Sequence, residues 1–163
     1  MNIKLKNKFL YFNEYRIKCS IGKRGITARK IEGDCKTPRG IFGFRTLFYR
    51  KDRILKIKSS LKKIIIKKNM GWCDDPKSKN YNKMIKFPFN CSAEKLWLKK
   101  NIYDIIVVID YNLKPIKRNK GSAIFLHIAN SNYASTKGCV AIAKKDMLFL
   151  INKINTKTKI IIN

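Results

Sequence analysis

The alternation of apolar and polar positions predicts a protein built mainly of β-strands. The segment YRIKCSIG (15–22) alternates and ends in glycine, and GIFGFRTLFYR (40–50) is rich in aromatic residues. YDIIVVIDY (103–111) is a continuous β-branched run, which is typical of a strand covered on both faces. Further strand candidates are SAIFLHIA (122–129), GCVAIA (138–143) and TKTKIIIN (156–163).

Helical patterns are scarce. An apolar stripe with 3, 4, 7 spacing runs from Met147 to Ile154 and predicts one helix, with Asp146 at its N-cap. A second, short helix is predicted over SAEKLWL (92–98). Many short strands with one or two short helices favour a β-sandwich or a partly closed barrel over a parallel sheet with crossover helices.

Between residues 51 and 90 the strand pattern gives way to basic and apolar patches. The second half, NMGWCDDPKSKNYNKMIKFPF (69–89), is crowded with Gly, Asp, Pro and Asn, which predicts a long ordered loop. Loops of this length in a small domain often cover a functional site. No repeat or linker divides the 163 residues, so we expect one domain spanning 1–163.

The charge is strongly basic, with 38 Lys and Arg against 10 Asp and Glu and a formal net charge of +28. Such a balance fits a polyanionic partner, because Lys and Arg neutralise phosphates. Lysines are also spread along the whole chain together with abundant Ile and Asn, as codon bias in an AT-rich genome would produce. Both explanations stay open.

Cysteine and histidine spacing predicts no metal site. No two of the five cysteines have the two-to-four-residue spacing of a zinc site, and the single histidine cannot complete the usual ligand sets. The N-terminus carries no apolar run or cleavage site of a signal peptide, and no segment reaches the roughly 18 apolar residues of a membrane span. We expect no cofactor, no metal and no transmembrane segment.

The stretch SAIFLHIANSNYASTKGCVAI (122–142) carries the candidate chemistry. Gly138 and Cys139 stand where a hydroxyl-rich loop enters an apolar strand, a turn that can expose the sulfur and aim backbone N–H groups at one point. If the loop returns the chain antiparallel, His127 faces Cys139 and can lower the pKa of the thiol and take its proton. The alternative is a core histidine and a small buried cysteine.

At these residues the sequence resembles the L,D-transpeptidase catalytic-domain family, bacterial enzymes that form 3,3 cross-links in peptidoglycan. The family signature is a His on a strand, then Ser or Thr, a variable residue, Gly and the nucleophilic Cys. It is matched by His127, Thr136, Gly138 and Cys139. GDCKTPRGIFGF (33–44) is similar to a second family segment, and GWCDDPKSKNYNK (71–83) to a loop of short single-domain members. The resemblance covers about residues 20–162.

The resemblance implies a mainly β, sandwich-like fold and a two-step acyl transfer on peptidoglycan stem peptides. Cys139 would attack the carbonyl before the terminal D-alanine of a tetrapeptide stem, forming a thioester that a neighbouring amine or water resolves. His127, oriented by a backbone carbonyl, would be the base. Backbone N–H groups of Gly138 and Cys139 would stabilise the oxyanion, and no specific nucleic acid is expected.

Substrate contacts are expected from Thr136, Lys137, Arg39 and Trp72. The chain departs from better-studied members at Lys137, where they carry His, and at Ala141, where they carry Arg. Lys137, Arg39 and Arg45 are candidates to supply the missing positive charge. Trp72 is a candidate stacking platform or lid anchor, with core burial of its ring as the alternative.

Two questions stay open at the level of sequence. Peptidoglycan lies outside the membrane, so the resemblance implies the periplasm or cell envelope, yet no signal peptide is visible and a cytoplasmic role in trimming precursors remains an alternative. A non-enzymatic basic module that binds nucleic acid or anionic cell-wall polymer, with Cys139 inert, is the rival function. A Cys/His hydrolase of another amide or thioester is a third. The oligomeric state is not predicted.

Overall fold

The computed structural model describes residues 2–163, and over these residues the protein is mainly β with one α-helix. The strands are β1 (Asn2–Lys6), β2 (Phe9–Phe12), β3 (Tyr15–Ser20), β4 (Ile26–Thr27), β5 (Thr37–Pro38), β6 (Gly40–Tyr49), β7 (Lys62–Ile65), β8 (Met70–Cys73), β9 (Met84–Lys86), β10 (Ala93–Lys95), β11 (Ile105–Ile109), β12 (Phe125–Ile128), β13 (Val140–Ile142) and β14 (Lys159–Ile162). The helix α1 is Lys144–Lys153, and a 3₁₀-helix covers Asn101–Tyr103.

The main sheet closes on itself in a barrel-like arrangement. Its strand order is β11-β12-β13-β3-β2-β1-β14-β6-β7, and β6 also pairs with β11. The long strand β6 makes this closure, because Gly40–Gly43 pair with β14 while Phe44–Tyr49 pair with β11 across a register shift. The mainly β prediction is confirmed, and the sandwich-like arrangement is replaced by a barrel-like one.

Strand β11 confirms the prediction of a strand covered on both faces. All five of its residues are buried. Ile105, Val107 and Ile109 belong to the core inside the barrel, which also holds the buried face of α1. Ile106 and Val108 belong to a second apolar cluster on the outer face. Each such side chain contributes about 1.5–3 kcal/mol when fully buried.

A smaller sheet covers that outer face. Its order is β10-β8-β9, and Trp72 of β8 and Leu96, which follows β10, pack with Tyr103 and Phe125 in the second cluster. The predicted long loop therefore contains strands, although Asp74–Lys83 between β8 and β9 is a loop. The barrel and this sheet form two layers, and Phe125 and Cys139 on the outer face of the barrel pack between them.

Two helix predictions are wrong in detail. Residues 93–95 form β10, because their backbone pairs with Gly71–Cys73 and this pairing outweighs the local helix propensity. Helix α1 exists but begins at Lys144 with Ala143 at the N-cap. Asp146 lies in the first turn, where its charge is favourable near the positive end of the helix dipole. Over residues 2–163 we find no helix with the length and hydropathy of a membrane span.

Candidate active site

The strands β12 and β13 run parallel, so the antiparallel return predicted for residues 130–137 is wrong. His127 is in register with Ala141, and Phe125 N–H lies 3.4 Å from Cys139 Sγ. Alternate residues of a strand share a face. Cys139 and His127 therefore lie on the same outer face of neighbouring strands as diagonal neighbours, because the segment after β12 turns back and enters β13 from the same end.

The turn before Cys139 depends on Gly138. Its φ is +141°, a conformation that L side chains rarely adopt. A Cβ added there would lie 2.9 Å from the Lys36 carbonyl oxygen, which leaves no room for a side chain. The segment of residues 33–44 thus holds the turn from the other side, and Gly22 N–H donates to Thr37 Oγ1 at 2.9 Å in the same region.

The Thr136 side chain stabilises this turn. Its hydroxyl donates to the Cys139 carbonyl at 2.7 Å and accepts from Gly138 N–H at 3.1 Å. The hydroxyl donor is thus used within the turn, and the assignment of Thr136 as a substrate contact stays a prediction. The Gly138 N–H expected in an oxyanion hole is held by Thr136 in this structure.

The Cys139 thiol is buried, with 8% of the residue exposed. It donates to the Ala123 carbonyl at 3.1 Å and accepts from Phe125 N–H. Burial raises its pKa to about 12, the nearby Glu94 adds to this, and Phe125 N–H and Lys30 act in the opposite direction. The thiol is protonated at neutral pH. The sequence-based expectation that His127 lowers the pKa of the Cys139 thiol is wrong for this conformation. The thiol is desolvated, and within residues 2–163 no hydrogen bond joins it to the imidazole.

His127 is neutral in the same environment. It is 6% exposed, and burial lowers its pKa to about 4 against the opposing effect of backbone hydrogen bonds to Ile128 and Ile102. Nδ1 lies 3.0 Å from the Ile128 carbonyl oxygen, so a backbone carbonyl orients the ring as the resemblance implied. A neutral imidazole keeps one nitrogen without a proton and can act as a base.

Two further residues complete the site, and the sequence patterns did not indicate them. The Tyr103 ring packs edge-on against His127 with centroids 5.2 Å apart. Its hydroxyl donates to Glu94 Oε1 at 2.5 Å. The only available sequence signal was an aromatic residue with a polar tip at the start of a buried apolar run. Tyr103 thus links the candidate base to a carboxylate on the covering sheet.

The remaining predicted substrate contacts make no hydrogen bond to the pair. Lys137 is exposed in the turn. Burial raises the pKa of Glu94, and the charge of Lys137 opposes that rise. Arg39 is exposed, and its backbone N–H donates to the Thr27 carbonyl at 2.7 Å. Arg45 pairs with Asp110. None of these side chains hydrogen-bonds to Cys139 or His127 in the described part of the chain.

Trp72 is a core residue, in line with the alternative of core burial of its ring, and a role in substrate contact stays a prediction. It is 7% exposed, its Nε1 donates to Asn82 Oδ1 at 2.9 Å, and its ring packs edge-on against Phe125 and Phe48. The indole is enclosed because β8 lies on the outer face of the barrel. It packs on Phe125 from the side of the covering sheet.

Ala141 leaves no space for an arginine. It is 1% exposed and lies between His127 on one side and Ser20 on the other. A cation that sequence reasoning missed lies beside the Gly138 turn: a Cβ on Gly138 would lie 3.7 Å from Lys30 Cε. Lys30 is buried and forms an ion pair with Asp34 at 2.5 Å. It supplies positive charge near the thiol from a different loop.

Two surface clefts have volumes of about 580 and 600 Å³, and neither is lined by Cys139 or His127. The first lies beside Lys30 and includes Arg29, Lys114, Lys117 and Lys120. The thiol and imidazole are instead covered by the second layer.

Comparison with known proteins identifies the family. The model of the YkuD L,D-transpeptidase catalytic domain matches residues 3–162, almost the whole chain. Searches of the curated proteins and of the solved structures found no match. The signature residues His127, Gly138 and Cys139 lie together between the barrel and the covering sheet. On these grounds the chain belongs to the L,D-transpeptidase catalytic-domain family.

Proposed function

We propose that the protein is a cysteine-dependent L,D-transpeptidase that acts on peptidoglycan tetrapeptide stems, with Cys139 as nucleophile and His127 as base. The observation that carries the proposal is the placement of a thiol and a neutral imidazole on one face of the parallel pair β12 and β13, next to the Gly138 turn. Family membership supports acyl transfer and a peptidoglycan substrate.

The first step forms a thioester. His127 accepts the thiol proton as Sγ attacks the carbonyl carbon before the terminal D-alanine, so the thiolate is generated only during attack. A rotation about the Cys139 side chain releases Sγ from the Ala123 carbonyl and brings it toward the imidazole. When the tetrahedral intermediate collapses, the C–N bond breaks and His127 returns the proton to the amine of the leaving D-alanine.

The second step consumes the thioester. The side-chain amine of a neighbouring stem attacks the acyl carbon, the C–S bond breaks, and a cross-link and a free thiol result. Water in place of the amine gives L,D-carboxypeptidase activity. The Cys139 N–H stabilises the oxyanion in both steps, together with the Gly138 N–H once the Thr136 hydroxyl turns away.

Intact-mass spectrometry of the protein mixed with a disaccharide tetrapeptide tests the proposal directly. We expect a mass gain equal to the substrate minus its terminal alanine, and no gain in the Cys139→Ala variant. His127→Gln should acylate much more slowly than the wild type at neutral pH. Absence of an adduct in the wild type, with substrate left intact, would refute the transpeptidase assignment.

One observation favours the rival function, a basic binding module with an inert cysteine. Burial raises the pKa of the Cys139 thiol to about 12, as expected of a structural cysteine. Alkylation separates the two functions. In an enzyme, a substrate analogue that opens the covering layer should accelerate iodoacetamide labelling of Cys139, whereas an inert thiol should stay slow with or without the analogue.

We place this activity in the cell envelope, where mature peptidoglycan lies. Fractionation of cells into cytoplasmic and periplasmic extracts, followed by the same mass assay, tests the location. Activity confined to the cytoplasmic fraction would instead indicate trimming of precursors.

A further inference from the structure

The segment GWCDDPKSKNYNK (71–83) contains, near its end, two residues that the proposed mechanism does not use. Tyr81 and Asn82 are each 2% exposed, and both hydrogen-bond to the turn that precedes β12. The Tyr81 hydroxyl accepts from Gly121 N–H at 3.0 Å, and Asn82 Oδ1 accepts from Ala123 N–H at 3.1 Å. Two consecutive residues of the covering layer thus fix two alternate N–H groups of one turn.

This turn holds the nucleophile. The Cys139 thiol donates to the Ala123 carbonyl at 3.1 Å, so the proton that His127 accepts during catalysis is bound to the turn instead. Ala123 has a φ of +52°, a left-handed conformation that is disfavoured about five- to thirtyfold for an alanine. The Ala123 carbonyl therefore stays on the thiol only while other contacts hold the residue in this conformation.

Asn82 supplies that contact, and its amide is fixed on every side. Its Oδ1 also accepts from Trp72 Nε1 at 2.9 Å, and its Nδ2 donates to the Asn112 carbonyl at 2.7 Å. Its backbone N–H donates to the Cys73 carbonyl at 2.9 Å. Because Trp72 and Cys73 belong to β8, a movement of the covering sheet also moves the partner of Ala123 N–H.

We propose that Tyr81 and Asn82 are positioning residues that couple the covering sheet to the nucleophile. While the sheet is in place, they keep the Ala123 carbonyl on the Cys139 thiol. When the sheet is displaced, Ala123 relaxes and the thiol turns toward His127. The thiol proton stays on Sγ until attack on the substrate, so no covalent bond changes in this step. The inference rests on the proposed function, in which Cys139 is the nucleophile.

The rate at which iodoacetamide labels Cys139 without substrate, measured by peptide mass spectrometry, tests this coupling. Asn82→Gly removes the amide and retains the φ of +55° without strain. Labelling of Cys139 should become about tenfold faster, because the buried Ala123 N–H loses its partner. Ala123→Gly should reverse most of this rise when added to Asn82→Gly, and should slow labelling about tenfold when made alone, because glycine adopts φ +52° without the penalty. This rescue identifies the Ala123 conformation as the property that Asn82 controls.

Controls separate release of the thiol from unfolding of the domain. Labelling through a local opening depends little on mild urea, whereas labelling through global unfolding rises steeply with it. For Cys139 we expect a slope well below that of global unfolding followed by circular dichroism. Asn80→Gly makes the same substitution at a partly exposed position of the same loop and should leave the labelling of Cys139 unchanged.

Tyr81→Phe removes only the hydroxyl that accepts from Gly121 N–H. It should accelerate labelling by a smaller factor than Asn82→Gly, because Gly121 adopts its φ of +96° without strain. Labelling equal to the wild type in this variant would remove Tyr81 from the pair.

Three results would overturn the coupling: unchanged labelling in Asn82→Gly, no slowing by Ala123→Gly, or a urea slope for Cys139 equal to that of global unfolding. If Asn82→Gly does not fold, the slowing expected of Ala123→Gly alone decides the question. None of these measurements needs a substrate. A wild type that labels as expected but forms no thioester would therefore refute the proposed function and leave the coupling standing.

Discussion

Gly138→Ala tests whether the tight turn before Cys139 is needed for both folding and chemistry. The glycine has φ +141°, and a Cβ would lie 2.9 Å from the Lys36 carbonyl oxygen. A non-glycine residue in such a region costs about 1–3 kcal/mol, and the steric clash adds about 1–3 kcal/mol. Taking the middle of both ranges, we expect a loss of about 4 kcal/mol and a fall in Tm of about 8–16 °C for a domain of this size.

Gly33→Ala is the matched control for that prediction. Gly33 also has a positive φ, +76°, but a Cβ there would meet nothing within 4 Å. It should therefore cost only the backbone strain, about 1–2 kcal/mol. Thermal unfolding followed by circular dichroism measures both variants. The rate of thioester formation in Gly138→Ala should also fall by about a hundredfold, because a displacement of reacting groups by about 1 Å can lower a rate by that factor. Equal Tm values for the two variants would show that the Lys36 carbonyl yields easily and that the turn is not tight.

Three further predictions follow from the site. Because burial lowers the pKa of His127 from 6.5 to about 4, the unfolded chain binds the proton more tightly than the folded one. The free energy of unfolding is therefore highest above pH 6.5 and falls by about 3 kcal/mol between pH 6.5 and 4. Denaturant unfolding across this pH range should show that slope in the wild type and not in His127→Gln; parallel curves would mean that the imidazole is solvated. Thr136→Val should destabilise the protein by about 1–2 kcal/mol through loss of two hydrogen bonds, and Thr136→Ser should restore stability. Ala141→Arg should cost more than about 3 kcal/mol in denaturant unfolding, because a charged side chain would enter a site that is 1% exposed; a folded variant of normal stability would show that the strand pair can open there.

Local sequence patterns predicted the elements whose burial is set by their own composition. The run at 105–109 is buried on both faces, and the apolar stripe after Met147 forms α1 with Met147, Leu150 and Ile151 inside. The family signature indicated the 122–142 stretch, and the structure places its thiol and imidazole on one face. These features depend on residues close together in the chain.

Features that depend on distant partners were not predictable in this way. The direction in which β13 returns beside β12 is not encoded in the alternation of either strand, and the antiparallel choice was wrong. SAEKLWL has helical spacing, yet pairing with β8 makes residues 93–95 a strand. For Trp72 the sequence left a stacking platform, a lid anchor and core burial open, and only the barrel beneath it decides for burial. The closure by β6 requires pairing with β14 and β11, which lie about 60 to 120 positions away in sequence.

The burial of Cys139 also affects its resistance to oxidation. Peroxides attack thiolates that are exposed, so sulfenic acid forms slowly on a protonated thiol beneath a covering layer. Of the five free cysteines, Cys35 and Cys91 are partly exposed, while Cys19, Cys73 and Cys139 are buried. An oxidant therefore meets Cys35 and Cys91 first, and the proposed nucleophile becomes vulnerable only when the covering layer opens for a substrate.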